Sequence, residues 1–497
     1  MSAFKINKQT EAEKDEFLVD CFHDSGFIER LLGENYSIIT GRKGSGKTAI
    51  ARYLEKKASS YGIDFSYRIS IRDVFTVHEK PDSGTIVFFI IVKTVQYLIK
   101  QEFFSKEARN YWQGFMTQNG LQSISDYQTF IESKKTHSSG FSIKATINNF
   151  ICGADSGLSS SNDTDYTKAT ISNSPSALIE SLYQSLPKDK KVYIFVDDLS
   201  DYLDERNKDT IADDINVIKD ILFQFTAFNA SLNDSEIDCH FIALLRDDLF
   251  EFMDGSNINK LRSDSLLLEW DEKSFAGLVI KRLPFYQDNL SKYLSDPVKS
   301  LREQFPDNIF ADALASFNTN RYATNFYAYI VAISFNRPRD FLMFCYAMRE
   351  RLSSKHPATL ENIESTEIEY SDYFMKELRD ELYLASKILK FEADYDGLNK
   401  LVDILSRNDN FKTTQLRTEL SQYLGEKTSL GRDKIEQFIY QLWWYGLLGF
   451  RKQDVKGLIN YRYISSSIVL TIERIKEYVF SLHRGLWWFA KKRKDKN

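Results

Sequence analysis

Apolar and polar positions along the first half of the chain switch repeatedly between a strand-like and a helix-like pattern. YSIIT at 36–40 is a short buried-strand run; a glycine-rich turn follows, and from Thr48 the stretch TAIARYLEKKASS repeats its apolar positions at helical spacing. A second strand is expected at 65–71, then the apolar stretch TIVFFIIVKTVQYLIKQEFF, helical in its later half. SALIESLYQSL reads as a helix, VYIFV at 192–196 as a β-branched and aromatic strand, 209–229 as a helix and HFIALL at 240–245 as another buried strand. Strands alternating with helices predict a parallel α/β sheet, whose functional residues gather at the carboxyl ends of the strands.

From about 284 to 351 the pattern is mostly helical. Beyond 371 come helices at LNKLVDILSR, TTQLRTELSQYL and RDKIEQFIYQLWWYGLL, then a hairpin expected through GFRKQDVKGLINYRYI. Three helices followed by a two-stranded ribbon is the order of a winged helix. ADSGLSSSNDTD at 154–165 has the composition of a surface loop. The expected division is 1–285 for the α/β domain, with an insertion at about 100–180, then 286–370 for an all-α domain and 371–497 for a winged-helix-like domain ending in a basic tail.

Composition narrows the class. A chain of 497 residues with 43% hydrophobic and 27% charged positions buries several cores, which excludes a disordered chain and a single small module. Cys21, Cys152, Cys239 and Cys345 lie far apart with no CxxC pair, so neither a disulfide framework nor a zinc ribbon is proposed, and a reducing cytoplasm fits. Cys21 and His23 lack a second pair to complete a metal site. The apolar run from Thr85 ends at Lys93, short of the roughly 20 residues that cross a membrane, so no span is expected. The first 16 residues hold no apolar signal region.

Lys+Arg of 65 against Asp+Glu of 70 gives −5, which disfavours a surface that is wholly a nucleic-acid footprint and leaves room for a local basic patch. The tail Lys491, Lys492, Arg493, Lys494 and Lys496 reads as a solvated end. Trp443, Trp444, Trp487 and Trp488 read as packing rather than base-stacking residues.

One motif carries chemistry. Gly41-Arg42-Lys43-Gly44-Ser45-Gly46-Lys47-Thr48 fits G-x-x-x-x-G-K-[ST] and lies between an expected strand and an expected helix, with Ala49 in the first turn. The glycines let backbone N–H groups wrap a phosphate, the helix start presents its dipole to it, Lys47 reaches the β/γ oxygens and Thr48 offers a hydroxyl to Mg²⁺. Asp197 and Asp198, at the end of VYIFV, are expected to hold Mg²⁺ through water and to sit by the attacking water, respectively. Asp rather than Glu at the second position shortens the base by one methylene, which predicts slow hydrolysis.

ITGRKGSGKTAI, YIFVDDL, FIALLRDD and NRPRDF together resemble the AAA+-related P-loop ATPases of the STAND and Cdc6/origin-recognition type, and in particular bacterial members found in defence contexts. The resemblance implies an α/β P-loop core with a helical lid. It implies that Arg246 is a sensor of the γ-phosphate and that Arg339, preceded by Pro338, is a second sensor on the lid. Arg262 is similar to an arginine supplied in trans. The implied function is an ATP-binding, slowly hydrolysing, cytoplasmic switch that takes ATP/ADP with Mg²⁺. Its output would be a protein effector partner or self-assembly in anti-phage defence, with no membrane. The alternative is a DNA-binding initiator or loader, which the mixed charge of RDKIEQFIYQ disfavours. Lys47 and Asp197 lie 150 positions apart, so an insertion is expected between them.

Overall fold

The computed structural model describes residues 11–73, 81–118, 121, 175–203, 211–234, 237–253, 255, 257–304, 333–335, 337–349, 351, 360–389, 395–408, 410–425, 432–452 and 478–494. They form two compact units: 28–42 with 47–268, and 1–27 with 43–46 and 269–497. The serine-rich stretch at 154–165 lies outside the described residues.

The first unit is built on a five-stranded sheet. Its strands and the helices named below run β1 (Ile38–Gly41), α1 (Lys47–Lys57), β2 (Phe65–Ser70), α2 (Ser83–Lys100), α3 (Pro175–Ser185), β3 (Val192–Asp197), α4 (Ile211–Asp234), β4 (Cys239–Arg246) and β5 (Ser265–Leu267), with further helices that include Lys106–Gln118 inside the expected insertion. The spatial order is β2-β3-β4-β1-β5, and every neighbouring pair is parallel. All six residues of β3 are buried, as a parallel strand covered on both faces requires. Asn229 of α4 fastens helix to sheet: its amide nitrogen donates to Ser37 Oγ and to the Phe241 carbonyl, both at 2.8 Å, and its oxygen accepts from the Phe241 amide at 2.9 Å. A buried amide with its partners met this fully fixes the packing of α4 on β4 and the start of β1.

The apolar run at 85–92 does not stop at Lys93. It continues as α2 through Lys100, started by Asp82, whose carboxylate accepts from the Thr85 amide at 2.8 Å. The helix is long and apolar enough, by length and composition, to cross a membrane. Ten of its 18 residues are buried within the unit, where it packs on α3, α4 and β2, so it reads as a core helix.

In the second unit the elements include α5 (Glu272–Arg282), α6 (Pro338–Arg349), α7 (Leu360–Leu389), α8 (Tyr395–Leu405), β6 (Phe411–Lys412), α9 (Thr413–Gly425), α10 (Arg432–Trp444), β7 (Leu448–Lys452), β8 (Tyr478–Leu482) and α11 (Trp487–Lys494). The N-terminal segment belongs here. Asp15 receives both Arg282 guanidinium nitrogens, and Lys281 donates to the Phe22 carbonyl at 2.6 Å. His23 lies against Gly277, where a Cβ would fall 2.1 Å from the ring, and burial pulls its pKa down to about 4. It is a packed neutral imidazole, and among the described residues no three metal-ligating side chains cluster.

β7 pairs antiparallel with β8, and β6 adds a third strand on the far side of β8. Residues 453–464 of the expected hairpin lie outside the described residues; YVFSL at 478–482 pairs with β7. In the basic tail Lys491, Lys492 and Lys494 are exposed, as a solvated end would be, and Lys496 lies outside the described residues. The helix that carries them, α11, packs on α7 and α8, with Arg493 paired to both Asp403 oxygens at 2.9 and 2.8 Å, Lys492 to Asp372 at 2.9 Å and Lys491 over the Trp488 ring at 4.4 Å. Trp443 is buried, and Trp488 donates to Glu367 at 2.6 Å.

Gly446 ends the turn into β7 at φ 81°, and a Cβ there would lie 2.2 Å from the Phe335 ring. Gly26 has a similar φ of 84° but open space around it. Gly446→Ala is therefore expected to lower the thermal midpoint well beyond Gly26→Ala, at over ~2 kcal/mol against about 1, in a thermal-shift comparison of the two variants.

Candidate functional site

β1 ends at Gly41 and α1 opens at Lys47, so the glycine-rich residues turn between a central strand and a helix start. Gly44 and Gly46 have φ of 82° and 104°, conformations that a side chain would strain. Ser45 is buried, and its hydroxyl makes no hydrogen bond. Lys47, Thr48 and Ala49 form the first turn of α1. The Lys47 amine folds back on the loop, donating to the Gly41 carbonyl at 2.6 Å and the Arg42 carbonyl at 3.1 Å. Burial pulls its pKa down to about 8, although Asp247 and Asp197 pull the other way.

Thr48 and Asp197, 149 positions apart, meet directly: the threonine hydroxyl donates to Asp197 Oδ2 at 2.8 Å. Asp197 is 5% exposed, and burial, then the charge of Asp198, raises its pKa. Its other oxygen accepts from the Asp198 amide at 2.8 Å. Asp198 follows with φ 63°, a left-handed conformation that Asp tolerates better than most residues. This turns the chain sharply at the strand end.

Two polar residues of β2, Arg68 and Ser70, and Arg72 just beyond it, all passed over by the sequence reading, surround these carboxylates. Arg68 Nη1 donates to Asp197 Oδ2 at 3.0 Å and lies 3.8 Å from Asp198 Oδ2. Ser70 Oγ donates to Asp198 Oδ2 at 2.5 Å, and Arg72, just past the strand, pairs with Asp201 and lies 3.8 Å from Asp198. The signal was available. In FSYRIS, Ser66, Arg68 and Ser70 alternate with Phe65, Tyr67 and Ile69, and period two puts the polar set on one face.

Arg246 stands beside Gly41 in the β1–β4 register. Its guanidinium is held by Asp248, with Nε to Oδ1 at 3.0 Å and Nη2 to Oδ2 at 2.6 Å, a bidentate pair. Arg262 donates to the Phe250 carbonyl at 3.3 Å.

The crown of the loop, Lys43–Gly46, makes its contacts in the second unit. Arg339 covers Gly44, where a Cβ would come 3.1 Å from the arginine's own Cβ, and its Nη1 is 3.6 Å from Glu377 Oε2. Lys43 lies 3.6 Å from that same Glu377 oxygen and 3.7 Å from Asp380. Pro338 opens α6, the helix position where a missing N–H costs nothing. The deeply buried arginine here is Arg337. It pairs with Asp340 at 2.9 and 2.7 Å and with Glu381 at 2.7 Å, and it donates to the Lys43 carbonyl at 2.9 Å. Trp270 adds a bond to the Ser45 carbonyl at 2.6 Å.

A loop with two positive-φ glycines, an unpartnered buried hydroxyl and a lysine suits a phosphate. Thr48 and Asp197 supply the hard oxygen donors that suit Mg²⁺. With β4 between β1 and β3 in an all-parallel sheet, and a glycine-rich loop between β1 and α1, the first unit has the fold of a P-loop NTPase core.

A family model described as the FunZ-associated C-terminal helical domain matches residues 288–379. No curated protein matches the chain. Among solved structures the chain is similar to the Walker-type ATPase PABY2304 of Pyrococcus abyssi, at 11% identity and TM-score 0.38 over 94% of each chain. It is also similar to Cdc6p from Pyrobaculum aerophilum, at 11% identity and TM-score 0.29 over 99% of this chain and 96% of that one. Likenesses this loose carry nothing over to individual residues.

The two neighbouring arginines should separate by stability. Arg337→Met leaves Asp340 and Glu381 buried without their counter-charge and is expected to cost ~3–5 kcal/mol. Arg339→Ala, at a half-exposed and longer ion pair, is expected to cost about 0–1 kcal/mol. Chemical denaturation of the two variants checks the contrast.

Proposed function

We propose that the chain is an ATP-binding, slowly hydrolysing regulatory switch. The observation that carries this reading is the Thr48–Asp197 hydrogen bond, which joins the phosphate-loop helix to the strand-end carboxylate at 2.8 Å. In this reading the backbone of Gly44, Ser45 and Gly46 wraps the β-phosphate, Lys47 leaves its carbonyl partners for the β/γ oxygens, and Arg42 and Lys43 add positive charge. Thr48 and Asp197 would hold Mg²⁺, which supplies charge neutralisation on the transferred phosphoryl group. Asp198 orients the attacking water and accepts its proton. Its carboxylate is short and already engaged by Ser70, which keeps turnover slow.

Arg246 and Arg339 are the proposed γ-phosphate sensors. Each is held by carboxylates, Asp248 and Glu377, so each would exchange an internal partner for the nucleotide. Because Lys43 and Gly44 touch Arg337, Arg339 and α7, a change at the loop is felt directly by the helices of the C-terminal unit. At nucleotide near a hundred times its dissociation constant, about 2.7 kcal/mol is available to bias such a change.

The boundaries 1–285, 286–370 and 371–497, with a winged-helix-like last domain, belong to the same reading, as do a cytoplasmic location and a protein effector partner or self-assembly. Bacterial anti-phage defence is the setting that the motif resemblance suggests. Duplex DNA is disfavoured as a partner because the presumed recognition helix RDKIEQFIYQ is mixed in charge.

Lys47→Ala is expected to abolish ATP binding in calorimetry, while Asp198→Asn keeps binding and loses phosphate release; unchanged hydrolysis by Lys47→Ala contradicts the reading. A pH effect follows from the lowered Lys47 pKa of about 8. Phosphates beside the amine raise that pKa, so binding above pH 8 takes up a proton and affinity falls there by up to about tenfold per pH unit. Titrations in two buffers of different ionisation enthalpy should show the uptake, and Lys47→Arg should remove it.

A further inference from the structure

We infer that Arg68 is a built-in counter-cation for the candidate metal carboxylates, one that a divalent cation must displace before Asp197 can serve it. The inference rests on the nucleotide reading above and concerns a residue of the edge strand to which nothing else assigns a role.

The geometry is specific. Asp197 Oδ2 accepts two hydrogen bonds, from Thr48 at 2.8 Å and from Arg68 Nη1 at 3.0 Å, so the oxygen that a metal ion would share with the threonine already faces a positive charge. The same guanidinium nitrogen lies 3.8 Å from Asp198 Oδ2, so one cation serves both carboxylates. Arg68 is 12% exposed at its side chain and Asp197 7%, so the pair is shielded from the solvent that would otherwise screen it.

The remaining charged groups do not take over this task. Glu55 accepts from the Arg68 backbone amide at 2.8 Å, and its side chain is also 4.0 Å from Arg52. Arg72 pairs with Asp201 and reaches only Asp198, at 3.8 Å. The strand itself holds Arg68 in place. β2 runs parallel to β3 with Ser70 opposite Asp197 and Arg68 opposite Phe195, and the two polar side chains project on the same face two residues apart.

Two adjacent carboxylates with no cation between them repel each other and bind a divalent ion readily. With Arg68 in place the repulsion is relieved without metal, and metal binding is opposed by the loss of a shielded ion pair. The chain would thus refuse free divalent cations and accept one only when nucleotide phosphates bring additional ligands. Arg68, once displaced, remains within reach of Asp198 and so stays a positioning residue for the proposed base.

The test is a Mn²⁺ titration of the full nucleotide-free chain, followed by the EPR signal of free aqueous Mn²⁺. Arg68→Gln is expected to bind Mn²⁺ at least about tenfold more tightly than the unaltered chain, and adding Asp197→Asn to it is expected to remove the gain. Arg68→Lys, which keeps a cation on a different stem, should stay close to the unaltered chain. If Arg68→Gln does not melt cooperatively, Arg68→Met, which keeps the length of the stem, is read in its place. Equal or weaker Mn²⁺ binding after loss of the guanidinium overturns the proposal, as does a gain that survives Asp197→Asn. Because no nucleotide is present, failure of the ATP reading shows up separately, as an absence of the Lys47-dependent binding.

Discussion

Everything in the sheet unit turns on one buried carboxylate. Asp197 sits at the carboxyl end of a strand whose every residue is buried, in a place where an unpaired charge would be costly. Three donors keep it there: the Thr48 hydroxyl, the Arg68 guanidinium and the Asp198 amide. Each comes from a different part of the chain, and each is delivered by a constraint of the fold. Thr48 is fixed by the start of α1, Arg68 by the parallel register of β2 on β3, and the Asp198 amide by the left-handed turn that ends β3. The strand order matters because it inserts β4 between β1 and β3. The loop after β1 then reaches the carboxylate through a helix-borne side chain rather than a strand neighbour.

The second unit is organised around a charge of opposite sign. Arg337 is buried with Asp340 and Glu381 and extends one bond to the backbone of Lys43. A guanidinium suits this place because it offers several donors in a fixed plane, enough for two carboxylates and a carbonyl at once. Glu377, Asp380 and Glu381 lie on the same stretch of α7 and meet Arg339, Lys43 and Arg337. The long helix therefore reads the crown of the loop through charge. Its other contacts, with α11 and the turn before it, anchor the helix that carries the basic tail.

Much of this was legible from residues alone. β1 to β4, the helices around them and the loop were recognisable because a central parallel strand is a continuous apolar run and a phosphate loop needs glycines at fixed places. Harder features were those without a local pattern. β5 and β6 are three and two residues long, too short for any period to show. The β-branched half of α2 looks like a strand by composition, and the helix is set instead by Asp82 capping its start. Arg68 and Arg337 were passed over for a common reason. Both are arginines that act through buried partners distant in sequence, and a motif search rewards spacing along the chain rather than meeting points in space. Arg246 and Arg339 were singled out by resemblance, and their carboxylate partners, Asp248 and Glu377, became visible only in three dimensions.

The most direct measurement is a structure determined with Mg²⁺ and a non-hydrolysable ATP analogue. The account predicts the β-phosphate within hydrogen-bonding distance of the amides of residues 44–48, the Lys47 amine turned from its carbonyls to the phosphates, and the metal between Thr48 and Asp197 with the Arg68 guanidinium moved off that carboxylate. An empty loop at saturating analogue, or nucleotide bound elsewhere with Lys47 still on the Gly41 carbonyl, would contradict it.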